Sequence, residues 1–323
     1  MKTRRLGRTG LQVSEIGYGA WGIGKALWVG ADDALSLRAL HRAIDLGVNL
    51  IDTALAYGPG HSERLVGQVV RERRETIAVA SKVPPKNNRW PASPGVPVAE
   101  VFPGAHIIES CESSLRNSGL ETLDLLQLHV WHDDYLGQGD WQDAFDRLKQ
   151  AGKVRFLGIS INDHDPASAL RAVASGIFDT VQVIYNIFDP TPAAELLPLC
   201  LQHDVGVLAR VPLDEGGLSG AITPDSSFAE GDFRTRYFKG DRKRQVFERA
   251  QALEALLGEE AASLAELALR FCLSHPAVST VIPGMRSVRN VERNVALSDG
   301  RCLSPGLLAQ LSRHAWPRNF YQP

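Results

Sequence analysis

The sequence predicts an α/β chain folded as one (β/α)8 TIM barrel over residues 1–323, with an N-terminal β-hairpin and long loops on the C-terminal face. Short apolar, β-branched runs alternate with longer stretches of helical period, the pattern of parallel strands joined by crossover helices. Eight such units close naturally into a barrel, whereas an open doubly wound sheet usually has fewer strands and a glycine-rich first turn. Strands are expected at 15–19, 48–52, 76–81, 123–129, 154–160, 180–184, 205–210 and 278–283. Helices are expected at 33–46, 61–71, 105–118, 141–150, 166–175, 191–203 and 263–275. Gly47, Gly119, Gly152 and Gly176 follow four of these helices, where a C-terminus commonly needs a left-handed residue.

Three segments stand outside the repeat. Residues 4–14 place Gly7 and Thr9-Gly10 between short β-prone pieces, a hairpin expected to plug the barrel floor. Residues 84–104 contain Pro84, Pro85, Pro91, Pro94, Pro97 and Pro103, a stiff irregular loop after the third strand. Residues 213–242 form a second long loop after the seventh strand, rich in glycine and charge. Both loops open on the C-terminal face, where barrels place their chemistry.

Composition narrows the function. Hydrophobic residues make up 44% of the chain and charged residues 22%, an ordinary globular balance. A net charge of −2 gives no electrostatic reason to expect nucleic acid or an anionic membrane as partner, so a small-molecule substrate is expected. Cys111, Cys200, Cys272 and Cys302 are scattered, with the spacing of neither a zinc site nor a disulfide framework, and read as buried thiols in a reducing compartment. The basic start, Met1 to Arg8, has no apolar run behind it, and no stretch approaches the ~20 apolar residues a membrane span requires. A cytoplasmic location is expected.

Four residues carry chemistry: Asp52 at the end of the second strand, Tyr57 five positions on, Lys82 after the third strand and His129 on the fourth. In a barrel these strand ends meet on one rim. A lysine beside a tyrosine is expected to pull the phenol below its unperturbed ~10, and a carboxylate beside the lysine to keep it charged and oriented. A neutral histidine can hydrogen-bond a carbonyl oxygen that becomes an alkoxide. His129 and His132 lack the helical register and further ligands of a metal pair, and no metal is expected.

The run Asp52-Thr53-Ala54-Leu55-Ala56-Tyr57-Gly58, followed by Ser62-Glu63, resembles the signature of the aldo-keto reductase family. Other parts follow in order: Gly17-Tyr18-Gly19-Ala20-Trp21, Ser81-Lys82, Leu125-Leu126-Gln127-Leu128-His129, Gly152 to Ser160, Gln182 and Ile282-Pro283-Gly284. The resemblance spans nearly the whole chain. It implies an NAD(P)H-dependent oxidoreductase that reduces an aldehyde or ketone, or runs the reverse oxidation. Tyr57 would then be the general acid, tuned by Lys82 and Asp52, and His129 would orient the carbonyl. Ser160 and Gln182 would hold the nicotinamide carboxamide. Ala20, Trp21, Asp52, Arg210, Val211, Pro212, Leu213, Gly217, Gly284, Met285, Arg286, Asn290 and Asn294 complete the expected cofactor set. Trp21, Tyr57, His129 and Trp131 would face substrate, with Trp90 and Phe228 as further candidates for an apolar pocket wall.

The sequence departs from the family pattern at three places. The asparagine usually next to the serine of the fifth strand is displaced, since Ser160 is followed by Ile161 and then Asn162. Arg210 stands where many relatives stack an aromatic ring on the nicotinamide; it either stacks likewise or turns away to pair with Asp214 or Glu215. Arg293 replaces a common glutamate. Arg286, ahead of Arg289 and Arg293, is the expected clamp for a 2′-phosphate, which favours NADP(H) over NAD(H). Two other functional classes use the same barrel: a cofactor-binding regulatory subunit resembling the potassium-channel β-subunits, and a barrel lyase or isomerase. Redox turnover with NADPH separates the first reading from these.

Overall fold

Strands β1 (Thr3–Arg5) and β2 (Gln12–Ser14) pair antiparallel, with a short 3-10 turn, Gly7–Thr9, between them. The structure, a computed structural model, describes residues 1–318. The sheet of the barrel contains β3 (Tyr18–Gly19), β4 (Leu50–Asp52), β5 (Ala78–Val83), β6 (Leu123–Leu128), β7 (Val154–Ser160), β8 (Thr180–Ile184), β9 (Gly206–Arg210) and β10 (Val278–Val281). Each is parallel to its neighbour in chain order. Parallel bridges Ile16↔Val281 and Gly19↔Gly284 join the first strand to the last, with Gly17 N–H donating to Val281 O at 2.8 Å. This closes the barrel.

The hairpin forms the floor. Leu6 and Val13 are buried in one apolar cluster with Leu50, Ala80, Leu125 and Leu208 from four barrel strands and Ile282 just after β10. The apolar interior thereby ends in side chains and excludes water from below. Helices Asp33–Asp45, His61–Glu72, Gly104–Ser118, Trp141–Gln150 and Leu264–Leu273 cover the outside. Gly47, Gly119, Gly152 and Gly176 all take positive φ, as the helix ends require.

The structure differs from the sequence expectation mainly in the helices. The segment 191–203 divides into a turn at Thr191–Ala193 and a helix at Leu196–Gln202, because Pro198 has no N–H to donate back into an earlier start. The segment 166–175 likewise divides into Pro166–Ala169 and Leu170–Ala174. Short helices Val98–Val101 and Phe233–Tyr237 interrupt the two long loops. Helices Arg242–Glu254, Val288–Val295 and Pro305–Leu311 are additional to the expected set. Besides Arg242, the helix Arg242–Glu254 buries only Val246, Ala250 and Leu253, an apolar stripe too thin to register in a charged segment. Cys111, Cys200 and Cys272 are buried free thiols, but Cys302 is exposed, contrary to the expectation for all four. Among the described residues no helix is long and apolar enough to cross a membrane.

Gly7 and Gly10 test the floor contact. Gly7 has φ +47°, and an added Cβ would overlap the backbone of Asp204 and Gly206, whereas at Gly10, φ +71°, it would meet open space. Both substitutions to alanine carry the left-handed penalty of about 1 kcal/mol, but only Gly7→Ala must also push the hairpin off β9. Thermal melting should show a much larger loss for Gly7→Ala; equal losses would contradict the packing.

Candidate active site

Lys82, near the C-terminal end of β5, is fully buried, and an ammonium taken out of water must satisfy all three N–H groups. It does so. Nζ donates to Asp52 Oδ2 at 2.6 Å, to the Thr53 carbonyl at 2.8 Å and to Tyr57 Oη at 3.3 Å. Asp52 ends β4, and its other oxygen accepts from Gln182 Nε2 at 2.8 Å and Gln127 Nε2 at 3.3 Å. The parallel register places Asp52 opposite Ala80, Lys82 opposite Gln127 and Ser160 opposite Gln182, so one polar layer crosses the top of the barrel.

Tyr57 is carried on the turn after β4. Thr53 Oγ1 and Ser62 Oγ share a hydrogen bond of 2.8 Å, and Ser62 Oγ also reaches the Ala20 carbonyl at 2.9 Å. Glu63 accepts from Ser81 Oγ at 2.6 Å and from Asn117 Nδ2 at 2.8 Å. Ser62 and Glu63 therefore fix the turn between Asp52 and Tyr57. The Tyr57 ring meets His129 edge to face at 5.7 Å between centroids and stacks on Trp21 at 6.1 Å.

Burial dominates the electrostatics. Desolvation, aided by the charge of Asp52, pushes the Tyr57 phenol well above its ordinary value, while Arg210 opposes the shift. This reverses the direction expected from the sequence, because burial of the phenol, with the charge of Asp52 beside it, outweighs the pull of the neighbouring cations. Desolvation also lowers Lys82, and Asp52 resists that change. His129 is held well below the usual histidine range by burial and by the cations Lys82 and Arg210. Its Nδ1 is buried without a partner among the described residues. A buried lone pair costs less than a buried unpaired N–H, so the proton belongs on Nε2, which opens on the cleft.

The cleft above these residues has a volume of about 960 Å³. Trp21, Asp52, Tyr57, His129, Ser160 and Gln182 line its inner part. Arg210, Val211, Pro212, Leu213, Gly284, Arg286 and Asn290 continue it outward. Five expected site residues lie elsewhere. Trp131 is fully buried, donates Nε1–H to Asp133 Oδ1 at 2.9 Å and packs edge to face on Trp141 and Phe178. Its chain has left the sheet after Leu128, so strand alternation no longer sets its direction. Ala20 and Met285 are fully buried, with the Met285 carbonyl accepting from Tyr18 Oη at 2.7 Å. Gly217 is buried, an added Cβ there lying 3.0 Å from Val246, and Asn294 is buried in its helix. Arg289 and Arg293 are exposed away from the cleft. Phe228 stacks on Phe238 at 5.7 Å in a satellite cluster.

Arg210 lines the cleft and is held from the turn after β7. Its Nη2 pairs with Asp163 at 2.6 Å and donates to the Ile161 carbonyl at 2.8 Å, rather than bonding Asp214 or Glu215. Asp214 instead joins Tyr237 and Arg242 in a buried cluster that secures the second long loop.

The model of the Aldo/keto reductase family matches residues 15–311. The chain belongs to this family. The aldo-keto reductase YhdN of Bacillus subtilis is 30% identical over 299 residues, covering 90% of this chain and 87% of that protein. The NADH-specific methylglyoxal reductase of Escherichia coli is 28% identical, with 92% and 93% covered. An aldo-keto reductase from Klebsiella pneumoniae in complex with NADPH superposes with a TM-score of 0.70 at 30% identity, covering 98% of this chain and 96% of that one. This aldo-keto reductase is accordingly an oxidoreductase that reduces carbonyl groups with a nicotinamide cofactor.

The residues present fit such a cofactor. The cleft runs from Tyr57 to Arg286 and Asn290, and Gly284 leaves open space where a side chain would intrude. Arg286 makes no ion pair among the described residues; its one hydrogen bond goes to the Val29 carbonyl at 3.3 Å. The sequence reading missed Gln127 and Asp163. Gln127 was legible, being two residues before His129 and therefore on the same strand face. Asp163 was not, since a loop residue carries no periodic signal.

The His129 assignment predicts a neutral imidazole with its proton on Nε2 at pH 6. Nitrogen-15 NMR of the imidazole tests it, and titration near pH 6.5 would contradict the desolvation described above.

Proposed function

We propose that this enzyme reduces an aldehyde or ketone with NADPH, that Tyr57 is the general acid, and that the same residues serve the reverse alcohol oxidation. The observation that carries this reading is the three-way bonding of Lys82 to Asp52, Thr53 and Tyr57, with the Tyr57 ring against His129 at the cleft floor. A nicotinamide bound along the cleft supplies the hydride. Ser160 and Gln182 would hold its carboxamide, and Arg286 and Asn290 would hold its adenosine end. His129 Nε2–H donates to the carbonyl oxygen, and Tyr57 Oη gives its proton to that oxygen as negative charge develops there. The raised phenol keeps Tyr57 protonated throughout the neutral range, so reduction finds the acid ready. Oxidation needs the phenolate and must slow as pH falls.

The preference for NADPH rests on Arg286. Its guanidinium lies 5.3 Å from the Trp28 ring, with Arg234 on the same ring at 4.5 Å. Arg234 is neutralised by Asp232, but Arg286 is not, which leaves a cation for a 2′-phosphate.

Tyr57→Phe removes the transferable proton and little binding surface. Single-turnover reduction should fall by about 100-fold or more while the cofactor dissociation constant stays nearly unchanged. Retention of more than about a tenth of the rate would remove Tyr57 from the acid role. Arg286→Ala should weaken NADPH by about tenfold or more and NADH by less than about twofold in fluorescence titrations. Equal losses would place Arg286 away from the phosphate.

A further inference from the structure

The turn that follows β7 ties together two other loops of the barrel rim and the end of β9. The Ile161 carbonyl and Asp163 hold Arg210 at the end of β9, and His164 Nδ1 pairs with Asp189 Oδ2 at 2.6 Å in the loop after β8. Asn162 reaches across to the proline-rich loop. Its Oδ1 accepts from Ala92 N–H at 2.9 Å and its Nδ2 donates to the Ala92 carbonyl at 2.9 Å. A side-chain amide thus pairs with a backbone as one strand does with another. Asn162 is 5% exposed and Ala92 8% exposed, so both bonds are shielded from water, where breaking them leaves buried polar groups unpaired.

Ala92 lies two residues beyond Trp90, whose ring meets His129 edge to face at 4.6 Å between centroids. Trp90 also lines the cleft. Among the described residues, the hydrogen bonds joining 88–92 to the barrel are the two from Asn162. The two indoles therefore flank the reacting pair: Trp21 packs on Tyr57 at 6.1 Å and Trp90 on His129 at 4.6 Å.

We infer that Asn162 is a positioning residue for substrate rather than a contact to the nicotinamide: it docks the proline-rich loop so that Trp90 forms a wall against His129, selecting carbonyls that bear a flat apolar group. The inference rests on the reading that Tyr57 and His129 receive the carbonyl. Asn162→Ala frees the loop tip without removing any atom of the wall, and Trp90→Ala removes the wall and leaves the clamp. The two changes delete the same function and must not add.

The test compares wild type, Asn162→Ala, Trp90→Ala and the double variant, using benzaldehyde and propanal as substrates and titrating NADPH by fluorescence. Each single variant should lose about tenfold or more in kcat/KM for benzaldehyde, chiefly through KM, and much less for propanal. The double variant should lie within about twofold of the weaker single one, and NADPH affinity should change by less than about twofold in all three. Weakened NADPH binding in Asn162→Ala alone would assign Asn162 to the cofactor and overturn the inference. So would losses that multiply in the double variant, or an unchanged preference between the two aldehydes. Trp90 is 38% exposed, so its variant tests the wall even where Asn162→Ala fails to fold. Failure of the Tyr57 reading appears separately, as turnover retained in Tyr57→Phe.

Discussion

The buried ammonium of Lys82 is the constraint around which the rim is arranged. A charge with no exposed surface is tolerated only where a counter-charge and enough acceptors are fixed in place. Asp52 provides the charge, and the Thr53 carbonyl and Tyr57 Oη take the remaining N–H groups. Asp52 then needs donors for its second oxygen, which Gln127 and Gln182 supply from two further strands. One cation on β5 thus dictates polar residues on three other strands, β4, β6 and β8. Removing it would strand a buried carboxylate, a loss of about 3–5 kcal/mol, so the pair fixes the geometry more than it stabilises the fold.

That layer is possible because the barrel closes around it. Its lower interior is apolar and ends in Leu6 and Val13 of the hairpin, so the polar layer faces water only through the cleft. The low dielectric this creates raises the Tyr57 phenol and suppresses protonation of His129. A tyrosine that stays protonated beside a histidine that stays neutral keeps a proton in place at neutral pH for the oxygen that gains charge as hydride arrives. The loops then set the upper boundary, secured by Asn162 on one side and by the Asp214–Tyr237–Arg242 cluster on the other.

Much of this was legible in the sequence, and the failures share a cause. The strands were readable because full burial demands continuous apolar runs, and β7 and β8 fall on the expected residues, 154–160 and 180–184. Asp52, Tyr57, Lys82 and His129 were readable because strand ends in a barrel converge on one rim. Arg242–Glu254 was hidden because so few of its side chains are buried. Trp131 was misplaced because a residue beyond the strand no longer obeys its alternation. The partner of Arg210 and the role of Asn162 depend on loops meeting across the cleft, and such contacts leave no local pattern. The direction of the Tyr57 shift depends first on how deeply the barrel buries the phenol and then on the charge of Asp52 beside it, and burial at a turn leaves no local pattern in the sequence.

The most direct test of the dependence on Lys82 is the pH profile of alcohol oxidation in wild type and in Lys82→Met. Loss of the cation leaves Asp52 unopposed beside the phenol, so the phenolate needed for oxidation should form only at higher pH and the rising limb should move upward. Superimposable profiles would show that Lys82 does not govern the tyrosine, and would contradict the account of the site.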